Sequence, residues 1–363
     1  MSAARIGIDH WPALVHAPGV GRYARELVRA LLELDPELDL RLFEIGPGPR
    51  VFGDRALGLD VPRSRCSVRR VRARLPRGTL RALRGATGIG AETLLGGCEL
   101  FHRVIHDQPP LAHALPQVLA LSELPRAGSR EEESLTRTLA RIGDLVVTSR
   151  AARDELVRRF SCAPARVHSL PVGCEHWRRE LGPIPDREDP PLVLVLARTD
   201  RSRGVREVLA AFEILLARGS RASLAFAGRA GDAEPLVREH AARGRGVRRL
   251  EPSERELPGL VACASALVHL AEAEWTPVTP LEAFALGTPV VASRIPAFEE
   301  ALGGAAELVD APEPQDLAGA IEAALASARD PAAEAARRRI SEPFSWREHA
   351  RLTLEVWRKI LAR

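Results

Sequence analysis

The sequence is almost without lysine: of its 52 basic residues only Lys359 is one, and the rest are arginine. A bias of that size belongs to the coding sequence as a whole, so one arginine carries little information by its type alone. Cysteine is scarce too. Cys66, Cys98, Cys162, Cys174 and Cys263 are odd in number and scattered, and they form no C-x-x-C pair. That argues against a disulfide framework or a zinc site and fits a reducing compartment. No uncharged apolar run reaches the roughly 18 residues of a spanning helix. The start, MSAARIGIDH, enters a strand-like segment without a basic and then apolar leader, so a cytoplasmic protein is expected. No repeat of solenoid period and no low-complexity tract is present.

What remains is an ordinary globular composition, with 45% hydrophobic and 28% charged residues over 363 positions. That length exceeds one average core and predicts two domains. The net charge of +4 is modest for the length and does not itself imply nucleic acid, so no nucleic-acid partner is expected.

The patterning restarts halfway. Arg5 to Asp9 reads as a first strand, and HWPALVHAPGVG as a loop. A helix is predicted from about Gly21 to Leu34, with its apolar stripe on Ala24, Leu27, Val28, Leu31 and Leu32. Leu40–Ile45, Glu99–His102, Gln117–Leu121, Asp144–Val147 and Val167–Leu170 read as further strands. Helices are predicted at Glu131–Ile142 and from near Ser149. Arg178 to Pro190, RRELGPIPDREDP, is proline-rich, charged and aperiodic, and reads as a linker. Beyond it come strands at Leu192–Leu196, Ser223–Ala227 and Ala266–Leu270. Helices are predicted at Arg206–Leu216, Pro235–Arg243 and Gln315–Arg329. A last helix, Trp346–Leu361, has an apolar seam and is expected to pack across an interdomain surface. Two successive α/β units joined by a linker imply doubly wound sheets with a ligand cleft between them.

Arg63 to Arg84 holds nine arginines and no acid. Val68, Val71 and Leu75 alternate through it. It reads as a folded basic surface that would meet anionic lipid or an acidic acceptor, or simply as a solvated face inflated by the arginine bias.

Chemistry concentrates in Ala271–Ser293, AEAEWTPVTPLEAFALGTPVVAS. Thr279 is a plausible N-cap with Pro280 in the first turn, Gly287 a left-handed C-cap, and Pro289–Ala292 a buried strand. Glu274 precedes the helix, and Glu282 is expected in its first turn. A helix N-terminus with acids and free N–H groups suits a hydroxylated, phosphorylated ligand, although by itself it is as consistent with simple dipole compensation.

Four segments then resemble a known family: PGVGRYARELVRAL, ARTDRSRGVREVLAAF, EWTPVTPLEAFALGTPVVAS and FSWREHARLTLEVWRKIL. With VTSRAARDELVRRF and ARVHSLPVG between them, the chain is similar over nearly its whole length to the retaining, nucleotide-sugar-dependent glycosyltransferases of family 4. The resemblance implies the GT-B fold of two facing Rossmann-like domains: 1–177 on the acceptor side, a linker at 178–190, 191–342 on the donor side, and 343–363 as a helix crossing back. The E-x7-E arrangement is its most specific part. By resemblance, Glu282 binds the nucleotide ribose and Glu274 lies near the donor sugar. Arg198 and Arg203 hold the donor diphosphate, and Gly19, Val20 and Gly21 approach the same phosphates. Trp275, Thr276, Val278 and Thr279 complete the donor loop. No metal and no cofactor are implied, the nucleotide sugar being a co-substrate and a glycan or lipid-linked molecule the acceptor.

The chain departs from that family at several positions. Ser122-Glu123 stand where the family has His-Asp, and Ser122 inherits the place of the sugar-positioning histidine. His106-Asp107 lies upstream, out of alignment. Trp275-Thr276-Pro277 replace Gly-Phe-Gly, and Pro277 removes a backbone donor. Ala197 replaces a glycine, and Arg203 replaces a lysine, keeping the charge but changing its shape. These departures define the competing expectation, a GT-B protein that binds nucleotide sugar or glycan, or scaffolds a partner, without catalysis. An isomerase or phosphorylase on a lysine-bound phosphate cofactor would need a better placed lysine than Lys359.

Overall fold

Ile6 and Ile8 are buried in β1 (Arg5–Asp9), the strand that the opening residues predict. The computed structural model describes residues 4–15, 19–46, 68–74, 77–105, 111, 115–181, 183, 186–310 and 313–363. β1 is an interior strand of a first sheet. Its other members are β2 (Asp39–Gly46), β3 (Val68–Arg74), β4 (Leu100–Arg103), β5 (Gln117–Ala120), β6 (Asp144–Val147) and β7 (Val167–Ser169). Their spatial order is β3-β2-β1-β4-β5-β6-β7, and every pairing is parallel. Parallel strands need crossovers. The first is the helix Val20–Leu34, which buries Ala24, Leu27, Val28, Leu31 and Leu32 as its spacing predicts. Ser149 caps the helix Arg150–Phe160, its Oγ accepting from Ala152 N at 3.1 Å.

The last helix, Trp346–Leu361, belongs to this first unit, which comprises Met1–Val172 and Trp346–Arg363. Its inward side chains are tied by hydrogen bonds as well as packing. His349 Nδ1 donates to Pro171 O at 2.9 Å, which leaves Nε2 to accept from the Tyr23 hydroxyl at 2.9 Å. Trp357 Nε1 donates to His102 Nδ1 at 3.1 Å, and Arg363 pairs with Asp144 at 2.8 Å.

The second unit, Gly173–Ser345, repeats the plan. Its strands are β8 (Leu192–Leu196), β9 (Ser223–Ala227), β10 (Val247–Leu250), β11 (Ala266–His269), β12 (Val290–Ser293) and β13 (Glu307–Val309). They lie in the order β10-β9-β8-β11-β12-β13, again all parallel. Val193 and Val195 of β8 join Phe226, Val268 and the helices Val205–Ala217 and Pro314–Ser327 in one core. Two units of this design give the chain the doubly wound α/β fold that its sequence predicts.

Several local expectations need correction. HWPALVHAPGVG is not all loop, because Trp11–Val15 is helical and four of its five side chains are buried. The basic stretch contributes an edge strand, β3, and then the helix Arg77–Thr87. Residues 63–67, 75 and 76 of that stretch lie outside the described residues, as do His106 and Asp107. The division between units falls at Val172, ahead of the expected linker. His176–Leu181 is a helix with His176 and Trp177 buried, so 178–190 belongs to the second unit where it is described.

Candidate active site

In the second sheet the order reverses between β8 and β11, and the loops that leave their carboxyl ends flank that switch point. The loop after β8 runs through a single 3-10 turn, Arg201–Arg203, closed by Gly204. The neighbouring loop holds it. Thr199 Oγ1 donates to Glu234 Oε2 at 2.8 Å and accepts from Gly231 N at 2.8 Å, while Asp232 accepts from Arg201 N at 2.8 Å. A Cβ at Gly231 would lie 2.1 Å from Asp200 Oδ1 and 2.6 Å from Thr199 O, so only glycine permits this approach. The loop is therefore fixed, and of its three arginines Arg198 and Arg201 are exposed. Arg198 is 64% exposed, with Nε 3.1 Å from Asp200 Oδ2.

Arg203 does not project freely. Its Nη1 donates to Glu274 Oε2 at 2.5 Å, joining the β8 loop to the β11 loop across the switch point. Glu274 has a second partner, His269, the last residue of β11. Its Nε2 lies 3.0 Å from Oε2 and 3.2 Å from Oε1. Burial alone raises the Glu274 pKa, but the His269 imidazole and then the Arg203 guanidinium overcome it and hold the carboxyl at about 2. Glu274 is a carboxylate at any physiological pH. It is 16% exposed, enough to face a ligand.

Glu282 occupies a different setting. The helix spans Val278–Ala285, with Pro277 as its cap residue and no side-chain cap bond. Thr279 is thus inside the helix and not its N-cap, and Glu282 lies past the first turn. Gly287 does take the left-handed conformation, φ +83°. The Glu282 side chain is fully buried, with Oε1 3.0 Å from His176 Nε2. A ribose hydroxyl reaches this carboxylate only after the covering atoms move. Trp275 and Thr276 are half-buried, and Val278 N donates to Thr276 O at 2.8 Å.

The remaining sequence-derived residues belong to the first unit. Gly19 (φ +61°) precedes the helix Val20–Leu34, where Gly21 is buried in the first turn. Val20 and Ser122, far apart in sequence, line one small hollow at the carboxyl edge of β5 and β6, together with Tyr23, Val104, Ala120 and Thr148.

Sequence reasoning brought Arg203 and Glu274 together correctly in space and missed His269 and His176. His269 is a single histidine among apolar neighbours and His176 stands between Glu175 and Trp177, and no spacing marks either. Among the described residues no group of three His, Cys, Asp or Glu is placed to hold a metal ion. No helix among them is long and apolar enough to cross a membrane.

Residues 179–342 match the family Glycosyl transferases group 1. A glycogen synthase of Mycobacterium tuberculosis is 28% identical over 239 residues, 63% of this chain and 57% of that enzyme, so the match spans little more than half the relative's length. An MMP alpha-(1->4)-mannosyltransferase of Mycolicibacterium hassiacum is 25% identical and covered at 99% on both chains. Among solved structures, HepE of Anabaena in complex with UDP and glucose superposes with a TM-score of 0.69 at 14% identity, covering 98% of this chain and 99% of that one.

Proposed function

We propose that this chain is a group 1 glycosyltransferase that moves a hexosyl group, with retention and without a metal, from a nucleotide-diphosphate sugar to a glycan or lipid-linked acceptor in the cytoplasm. The observation that carries the reading is the Arg203–Glu274 contact across the β8/β11 switch point. There, two arginines and a permanently ionised carboxylate share the place where ligands of doubly wound sheets bind. Cleaving a sugar–phosphate bond puts an extra negative charge on the departing diphosphate. Arg198, exposed, and Arg203, displaced from Glu274, neutralise that charge in place of a metal. Arg203 as a planar fork bonds two phosphate oxygens where lysine would offer a point charge. Glu274 lies against the donor sugar, with Trp275, Thr276, Val278 and Thr279 beside it. The acceptor hydroxyl attacks on the face the diphosphate leaves, and a phosphate oxygen takes its proton. Glu282 receives the ribose hydroxyls once uncovered.

Sugar preference is set by the Glu274 loop, where Trp275, Thr276 and Pro277 stand. The arginines of 63–84 other than Arg70 and Arg72, which pair with Glu44, are assigned a peripheral contact with anionic lipid, which suits a lipid-linked acceptor.

The test is a thermal-shift panel of UDP, GDP, ADP and dTDP with their sugars, in which one base raises the melting temperature. Arg198→Ala and Glu282→Ala then weaken nucleotide binding, whereas Glu274→Ala chiefly lowers transfer. Unchanged nucleotide affinity in Arg198→Ala removes the diphosphate assignment. Binding without any transfer or donor hydrolysis favours the scaffold.

A further inference from the structure

Three side chains meet at the β8/β11 switch point, and two of them claim the same carboxylate. Arg203 reaches Glu274 from a loop, with its guanidinium 29% exposed. His269 reaches it from the end of a strand with only 5% of its side chain exposed. A carboxylate only accepts, so His269 Nε2 is the donor to it. Among the described residues the ring has no other polar attachment, since its Nδ1 is buried without a partner there. Packing against Phe298, with centroids 5.7 Å apart, fixes its plane. The imidazole is therefore a rigid holder whose one polar contact is Glu274, while Arg203 is an exchangeable one.

We propose that His269 is a positioning residue that keeps Glu274 in the donor pocket when the diphosphate takes Arg203, and that in the empty enzyme Glu274 competes with the diphosphate for that guanidinium. The inference rests on the assignment of Arg203 to the diphosphate. A carboxylate and a diphosphate repel each other and need the same N–H groups, so the donor enters by displacing Glu274 from Arg203. Displaced with no second partner, the Glu274 side chain would swing towards solvent, away from the sugar. His269 contacts both of its oxygens, so the carboxylate stays, and its negative charge remains balanced at the site.

The experiment measures binding by calorimetry and transfer kinetics in the full chain. The probes are inorganic pyrophosphate and whichever of UDP, GDP, ADP and dTDP binds the wild type. Glu274→Gln is expected to bind both probes roughly threefold to tenfold tighter, because the competing anion is gone, while transferring less. His269→Leu is expected to lower kcat roughly tenfold or more, with a smaller change in the donor KM, because the carboxylate loses its place. His269→Gln offers an amide N–H in the same region and recovers most of that loss, which a residue needed only for packing would not show. Equal or weaker probe binding by Glu274→Gln overturns the competition. A His269→Gln variant as slow as His269→Leu overturns the positioning role. If His269→Leu does not fold, a wild-type-like kcat in His269→Gln supports that role and a tenfold loss overturns it. The underlying reading fails separately: Arg203→Ala with unchanged affinity for both probes removes the diphosphate site, whatever Glu274→Gln does.

Discussion

Arg187 donates from Nη2 to the carbonyl of Gly287, 2.9 Å away, at the C-terminal end of the helix that carries Glu282. The same guanidinium donates to Ala328 O at 2.8 Å and to Ala264 O at 2.6 Å. Gly287 O also accepts from Arg337 Nε at 2.9 Å. Two cations thus close the negative end of the helix beneath the candidate donor site, where they complement its dipole. Arg187→Ala leaves four carbonyls, Ala262 O at 3.3 Å among them, without this donor and is expected to cost about 2–4 kcal/mol. A lower urea midpoint at unchanged m-value reads it. Arg187→Lys should recover little, because one ammonium cannot span carbonyls that a planar fork reaches together.

That arginine lies in the stretch whose composition predicts a loose linker. Proline, charge and lack of period do report absent secondary structure, but not whether a side chain is anchored to carbonyls 75, 100 and 141 residues away. The interior strands β1, β6, β8 and β9 were legible to the residue, because burial on both faces demands a continuous apolar run. β3 and β10 were not. Val68-Arg-Arg-Val-Arg and Val247-Arg-Arg-Leu sit at sheet edges and spend arginines on ion pairs, so their pattern reads as a solvated charge run. In the site, Arg203 and Glu274 were marked by the family resemblance of their segments, while His269 becomes visible only when β11 delivers it beside Glu274.

Stability is expected to fall as pH drops from about 6.5 towards 4. Burial first, opposed by the bond to Pro171 O, pushes His349 down to about 4. Burial and then His349 push His102 to about 3. Both values lie below the ordinary 6.5, so on acidification the unfolded chain takes up protons before the folded one does, and folding is disfavoured. The His349 contribution is fully present above the unfolded value, and its loss amounts to no more than about 3 kcal/mol by the time pH has fallen to the folded value. Glu44 and Glu274, each held at about 2, add a second loss only below the ordinary 4.5. Urea titrations at several pH values check this. His349→Gln should flatten the first slope while lowering stability at neutral pH.

Gly228 ends β9 with φ +130°, and a Cβ there would sit 2.3 Å from Ala197 O, the backbone just ahead of Arg198. Neither atom is the free end of a side chain, so the clash moves the loop. Gly228→Ala is expected to cost about 2 kcal/mol through backbone strain and to weaken nucleoside diphosphate binding by displacing Arg198. Wild-type affinity in a destabilised Gly228→Ala protein would show that the arginine loop adjusts independently of β9.

Glu44 of β2 decides what the basic stretch can offer a partner. Its fully buried carboxylate takes His10 Nδ1 at 2.8 Å, Arg70 Nη2 at 2.8 Å and Arg72 Nε on the other oxygen. Burial would raise its pKa, but His10 and then Arg70 hold it at about 2. Arg70 and Arg72, alternate residues on one face of β3, are therefore committed inward as the counter-charge of a buried acid. Glu44→Ala leaves two guanidinium groups and an imidazole facing one another and is expected to cost about 3–5 kcal/mol, as removing one partner of a buried ion pair does. Arg70→Gln/Arg72→Gln strands the carboxylate instead and is expected to lower the urea midpoint. It should leave flotation with phosphatidylserine vesicles at the wild-type level, since those two charges are not available to a membrane. Lost vesicle binding at unchanged stability would mean that Arg70 and Arg72 face lipid and that Glu44 is satisfied without them.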